Sequence, residues 1–178
     1  MSLLLDVARL REPHLHLERT EEPSAFGAEE GFRIVSPVRL VFDLHKDRDR
    51  IRLEGTLQTV LELDCSRCLE GFAVPVDAAF DLLYVPASTA PVDGEEREVE
   101  EDDLDTAYYR DGVIDLADVV REQLYLALPM KPLCQEGCRG LCPECGTNLN
   151  SGACSCTPAW EDPRLAPLKA LARNKPDA

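Results

Sequence analysis

The eight cysteines of this 178-residue chain fall into four close pairs: Cys65-x-x-Cys68, Cys134-x-x-x-Cys138, Cys142-x-x-Cys145 and Cys154-x-Cys156. A thiolate is an anionic, soft donor, and two of them this close in sequence can be turned toward one ion. Four pairs supply two tetrahedral zinc sites of four cysteines each. In Cys142-Pro-Glu-Cys145-Gly146 the glycine tolerates the backbone conformation that aims N–H groups at the thiolates. The pairs divide into two quartets in three ways. Spacing favours a local site of Cys142, Cys145, Cys154 and Cys156, with Thr147 to Gly152 as its loop. Cys65, Cys68, Cys134 and Cys138 then form a second site that closes a long loop. The competing chemistries are an iron–sulfur cluster and a dithiol redox pair at Cys65 and Cys68. Four thiolates leave no coordination position for water, so such sites stabilise and do not catalyse.

Other chemistry is sparse. The chain has no G-x-S-x-G, no phosphate-binding glycine loop and no H-E-x-x-H, so a non-enzyme is expected. His14, His16 and His45 stand apart from the cysteine pairs and read as strand or surface residues. The formal charge is −15, and Asp93, Glu95, Glu96, Glu98, Glu100, Glu101, Asp102, Asp103 and Asp105 crowd one segment against a single base, Arg97. The first eight of these are candidate contacts for a basic partner, with a solvated loop as the plainer reading. Local positive clusters occur at His45, Lys46, Arg48, Arg50 and Arg52 and in the tail at Arg164, Lys169, Arg173 and Lys175. Through these the chain could contact RNA phosphates. The opening Met1-Ser-Leu-Leu-Leu-Asp-Val lacks a basic n-region, and no apolar run approaches a membrane span. A reducing cytoplasm is therefore expected, where cysteines hold metal in preference to forming disulfides.

The elements that must position these groups follow from periodicity. Alternating apolar residues over 38–44 and 51–63, separated by the polar tip 46–50, predict a long antiparallel hairpin, and 72–85 predicts a third strand. Cys65 and Cys68 then sit at a tight strand connection. A short strand is expected over 13–18. Asp115 is a predicted N-cap for a helix over 116–128, with Leu116, Val119, Val120, Leu124, Ala127 and Leu128 on one stripe and Pro129 ending it. A short C-terminal helix could dock through Trp160, Leu165, Leu168 and Leu171. The expected fold is α+β: an antiparallel β-sheet with one principal helix, a cysteine-rich zinc module and a short C-terminal helix. Its expected division is 1–130 for the sheet and helix, with an acidic loop over 86–106, and 131–178 for the zinc module and C-terminal helix.

Four passages together resemble the YceD family of large-subunit ribosomal RNA accumulation proteins: Leu63-Asp-Cys-Ser-Arg-Cys-Leu-Glu70, Asp115 through Leu126-Ala-Leu-Pro-Met-Lys-Pro-Leu-Cys134, Gly140-Leu-Cys-Pro-Glu-Cys-Gly-Thr-Asn-Leu-Asn150 and Asp162-Pro-Arg-Leu-Ala-Pro-Leu-Lys169. The resemblance begins at about residue 30, covers most of the chain and keeps the family's order. It implies a non-catalytic bacterial or plastid factor that supports 23S rRNA accumulation and large-subunit assembly. The implied partners are a large-subunit ribosomal protein, small and basic, or a pre-ribosomal particle, with direct rRNA contact a further option and no membrane. Branches of the family that keep a pair like Cys65 and Cys68 but lack the second quartet agree with the favoured pairing.

Overall fold

A computed structural model of the chain describes residues 3–90 and 106–156. Its main sheet is built on β4 (Val38–Asp47), β5 (Arg50–Asp64) and β6 (Gly71–Pro86), which pair antiparallel in sequence order. Alternation dictates this arrangement, because successive side chains on a strand point to opposite faces. Val38, Leu40, Phe42 and Leu44 on β4 and Ile51, Leu53, Leu57 and Leu61 on β5 are all buried on one face. The other face carries cross-strand ion pairs such as Arg39 with Glu18 and Arg52 with Asp81. Gly55 occupies an inward position of β5 opposite both Phe42 and Phe80. A Cβ there would lie 2.6 Å from Phe42 Cβ and 2.8 Å from Phe80 Cζ, so the missing side chain is what admits the two rings.

Around this hairpin stack, β2 (His14–Glu21) pairs antiparallel with β4, and β3 (Arg33–Ile34) pairs with β5 beyond the end of β4. The expected strand over 13–18 is thus real and longer. β7 (Thr106–Tyr109) runs parallel to β6, so the sheet is mixed where a purely antiparallel one was expected. Residues 87–105 intervene between these strands, long enough for the chain to return before pairing, and four residues of strand carry no signal of direction. A separate two-stranded sheet of β1 (Leu4–Asp6) and β8 (Val113–Asp115) escapes the periodicity argument because each strand is only three residues long.

The single described α-helix, α1 (Leu116–Ala127), begins where expected, with Asp115 Oδ1 accepting from Ala117 N at 2.8 Å. Leu128, preceding Pro129, is extended and stops it. Leu116, Val119, Val120 and Leu124 are buried against the inner face of the sheet. Ala127, expected on the same stripe, is exposed instead, because the last turn lies along an open groove beside Pro75–Ala79 of β6. Two expectations, the acidic stretch from Asp93 to Asp105 and the C-terminal helix with Trp160, Leu165, Leu168 and Leu171, lie outside the described residues.

Candidate metal centres

The connection between β5 and β6 is a knuckle. Cys65 N donates to Glu70 O at 3.0 Å and Leu69 N donates back to Cys65 O at 2.9 Å, with Leu69 at φ +61°. The chain leaving α1 meets this knuckle at several points. Ser66 N donates to Pro132 O at 2.9 Å, Leu141 N to Arg67 O at 3.2 Å, and Arg67 Nη1 to Cys138 O at 2.8 Å. Gly140, at φ +73°, packs so closely that a Cβ would lie 3.0 Å from Arg67 O. The result joins Cys65 and Cys68 to Cys134 and Cys138, residues more than sixty positions apart in sequence.

All four sulfurs of this inner centre lie within 4.8 Å of one another, and the Cys65–Cys138 and Cys68–Cys134 Sγ separations are both 3.7 Å. A tetrahedral ion with metal–sulfur bonds of about 2.3 Å has an edge of about 3.8 Å, so the cage already has the dimensions of a four-thiolate site. A disulfide would bring two sulfurs to about 2.05 Å. Cys65, Cys68 and Cys138 are buried, and Phe72, Leu133 and Leu141 pack around them.

The outer centre repeats the same turn. Cys142 N donates to Thr147 O at 2.8 Å, and Gly146 N donates to Cys142 O at 2.9 Å, with Gly146 at φ +72°. These bonds have the same spacing along the chain as those of Cys65, Leu69 and Glu70, so the two knuckles are local copies. Cys142, Cys145, Cys154 and Cys156 bring their sulfurs within 4.8 Å of one another. Cys142 is buried, Cys154 half-buried, and Cys145 and Cys156 are exposed. The structure thus groups the eight cysteines into the two quartets that spacing favours, and each can hold a metal ion.

Within each quartet the thiols differ in acidity. Hydrogen bonding from the backbone of Cys134, joined by that of Cys68 and Arg67, brings Cys65 down to about 6 against the opposing effect of burial. Burial, reinforced by the neighbouring thiols, pushes Cys134 up to about 12. In the outer centre, hydrogen bonds from Thr147 bring Cys145 down to about 6, while Cys145 itself and then burial push Cys156 up to about 12. Each cage therefore mixes readily ionised thiols with proton-holding ones, and a cation entering it displaces the protons that remain.

Several side chains assigned no role from sequence belong to these centres. Arg67 clamps the two halves of the inner one, and Leu69 takes a left-handed backbone that its residue type disfavours. Asn150 Nδ2 donates to Cys138 Sγ at 3.3 Å, although Asn148 and Asn150 lie in the loop of the outer quartet. Their spacing within Gly146-Thr-Asn-Leu-Asn150 was visible, but which sulfur they reach depends on the meeting of the two modules.

Elsewhere, the three histidines lie exposed on strands, as expected. His14 lies directly across from His45, with ring centroids 4.4 Å apart, and His16 Nδ1 is 2.9 Å from Asp43 Oδ1. The hairpin tip is partly committed to internal contacts: Lys46 Nζ donates to Val7 O at 2.6 Å, and Arg52 is paired with Asp81 and Glu54. The tail bases Arg164, Lys169, Arg173 and Lys175 lie outside the described residues. No described helix is long and apolar enough to cross a membrane.

Comparison with known proteins finds relatives of this chain. A protein of Zea mays described as "Large ribosomal RNA subunit accumulation protein YCED homolog 1, chloroplastic" is 30% identical over 159 residues, covering 76% of this chain and 54% of its own. Its Arabidopsis thaliana counterpart of the same description is 28% identical over 156 residues, covering 76% of this chain and 49% of its own. An uncharacterised protein of Mycobacterium tuberculosis is 30% identical over 156 residues, covering 84% of this chain and 72% of its own. The chain spans about half the length of the two plant relatives. No solved structure matches. Residues 53–172, which include both quartets, match the family described as "Large ribosomal RNA subunit accumulation protein YceD", and the chain belongs to that family.

Proposed function

We propose that this chain is a non-catalytic, zinc-stabilised cytoplasmic factor that supports accumulation of 23S rRNA and assembly of the large ribosomal subunit. The observation that carries this reading is the coincidence of YceD family membership with two complete four-thiolate cages. Zinc fits better than an iron–sulfur cluster because paired sulfur separations of 3.7 Å suit a single tetrahedral ion. The inner ion fastens the module at 131–156 to the end of the sheet, and the outer ion closes a loop within the module. The chain as a whole, with its net charge of −15, suits a basic large-subunit protein or a pre-ribosomal particle carrying one. The low pKa of Cys65 is what a dithiol redox protein would need. Its complete burial opposes that use.

Depletion of the protein in its own host, with the ratio of 23S to 16S rRNA as readout, tests the role. Depletion is expected to lower the ratio. The intact chain should restore it, and a variant lacking the inner quartet should not. An unchanged ratio on depletion would overturn the proposal. Elemental analysis of the purified protein is expected to find two zinc ions per chain.

A further inference from the structure

The loop between the two halves of the outer quartet is anchored by that quartet but turned toward the other one. Asn150 Nδ2 donates to Cys138 Sγ at 3.3 Å, while its Oδ1 accepts from Arg139 N at 2.8 Å. Asn150 thereby holds a ligand of the inner centre and the backbone immediately after it. Asn148 Oδ1 accepts from Asn150 N and Nδ2 at 2.9 and 3.0 Å and so orients that amide. Asn148 Nδ2 donates at 2.7 Å to Oε1 of Glu70, the residue whose carbonyl closes the first knuckle. Leu149 N donates to Gly140 O at 2.9 Å, two residues beyond Cys138. The loop therefore touches both halves of the inner centre.

This loop has little apolar substance of its own. Among residues 146–153 none is buried, and Asn148 and Leu149 alone are half-buried. Its ends are joined through Cys145 and Cys154, which share one cage. Closing a loop by an ion shared between its ends removes much of its conformational freedom. An N–H donor aimed at a thiolate stabilises the charged, metal-bound form of that sulfur.

We infer that the two centres take up metal as a coupled pair: an ion in the outer quartet holds loop 146–153 in the shape that delivers Asn150 to Cys138, so each ion raises the affinity of the other site. Asn150 is a positioning residue in this scheme and not a ligand. Linkage requires reciprocity, so the factor by which the outer ion strengthens the inner site equals the factor by which the inner ion strengthens the outer one. Contacts of this kind typically change metal affinity about 10–100-fold, which is the coupling expected here. The inference rests on the reading that both quartets hold zinc.

The experiment is zinc competition against a chromophoric chelator on the full chain, with the two sites distinguished by variants. Removing the outer site with Cys145→Ser is expected to weaken the inner site about 10–100-fold, and Cys134→Ser should weaken the outer site by the same factor. Asn150→Ala should weaken the inner site comparably and abolish most of that coupling. Asn150→Asp keeps the acceptor oxygen but cannot donate to the sulfur, and should behave like Asn150→Ala. A second readout is the sulfur-to-metal charge-transfer band of the cobalt(II)-loaded chain. With both sites full, loss of the N–H to Cys138 should shift the inner centre's band, which a residue acting only on folding would leave in place. Equal affinities at each site whether the other is full or empty, or a band unmoved by Asn150→Ala, would overturn the inference. Failure of the zinc reading is separately visible, as fewer than two ions bound by the unaltered chain.

Discussion

The two cysteine centres share a turn but differ in what holds it. The inner knuckle hangs from two long strands, is clamped by Arg67 and Ser66 to the chain leaving the helix, and buries three of its four cysteines. The outer knuckle has no sheet behind it and exposes two of its four. The residue after the second cysteine registers the difference. Gly146 takes φ +72° at no steric cost, whereas Leu69 takes φ +61° at a site where an L-residue is disfavoured by about 1–2 kcal/mol. A strained residue persists where the surroundings over-determine its backbone. The inner turn is held by β5, β6 and the Pro132 segment, while the outer turn has only its glycine and its own quartet to hold it.

Acid should affect the two centres alike despite their unequal burial. Thiolates must be deprotonated to bind metal, so affinity rises with pH and falls as protons return. Below about 6, Cys65 and Cys145, the thiol brought down furthest in each cage, also take up protons. Both ions should therefore be lost over the same range below pH 6, measured as zinc released to a chelator during titration. Midpoints separated by more than about one pH unit would show that burial, and not thiol acidity, controls release.

Ligand removal should separate the centres. Cys65→Ser takes a fully buried ligand out of the cage that ties the module to the sheet, with an expected loss of about 4 kcal/mol or more in unfolding free energy. Cys154→Ser, in the outer cage, should cost the sheet only about 1–3 kcal/mol, passed on through the inner ion. Chemical denaturation followed by circular dichroism measures both, and equal losses would erase the distinction between an anchored and a self-contained centre.

The smallest effects should come from exchanging the turn residues. Gly146→Leu is expected to destabilise the outer module by about 1–2 kcal/mol, the cost of placing a side chain at positive φ. Leu69→Gly relieves that strain but gives the unfolded chain more freedom, so its net change should stay within about 1 kcal/mol. Leu69 is 67% exposed, so little packing is lost with its side chain. Thermal unfolding of the two variants reports the asymmetry. A large loss for Leu69→Gly would mean that its side chain, not its backbone, is what the site needs.

How much of this was legible beforehand varies by element. Strong alternation placed β4, β5 and β6, because each strand buries one face against the same core. The cap at Asp115 placed the start of the helix, because an orphan amide there needs an acceptor. The short strands β1, β3, β7 and β8 carried too few residues for a period to show, and they form only because neighbouring backbone is already in place. The meeting of His14 with His45 and of His16 with Asp43 was equally hidden, since it depends on the register between β2 and β4.

The sequence by itself determined the donor set, the close pairing of the cysteines and the turn at Gly146, since these depend on residues within reach of one another along the chain. Only the tertiary structure decided that the connection between β5 and β6 meets the segment after α1, and that Asn150 turns away from its own quartet to Cys138. The reason is distance along the chain. A knuckle needs six neighbouring residues, whereas a cage joining Cys65 to Cys138 exists only once the sheet and the helix have packed and set the path between them.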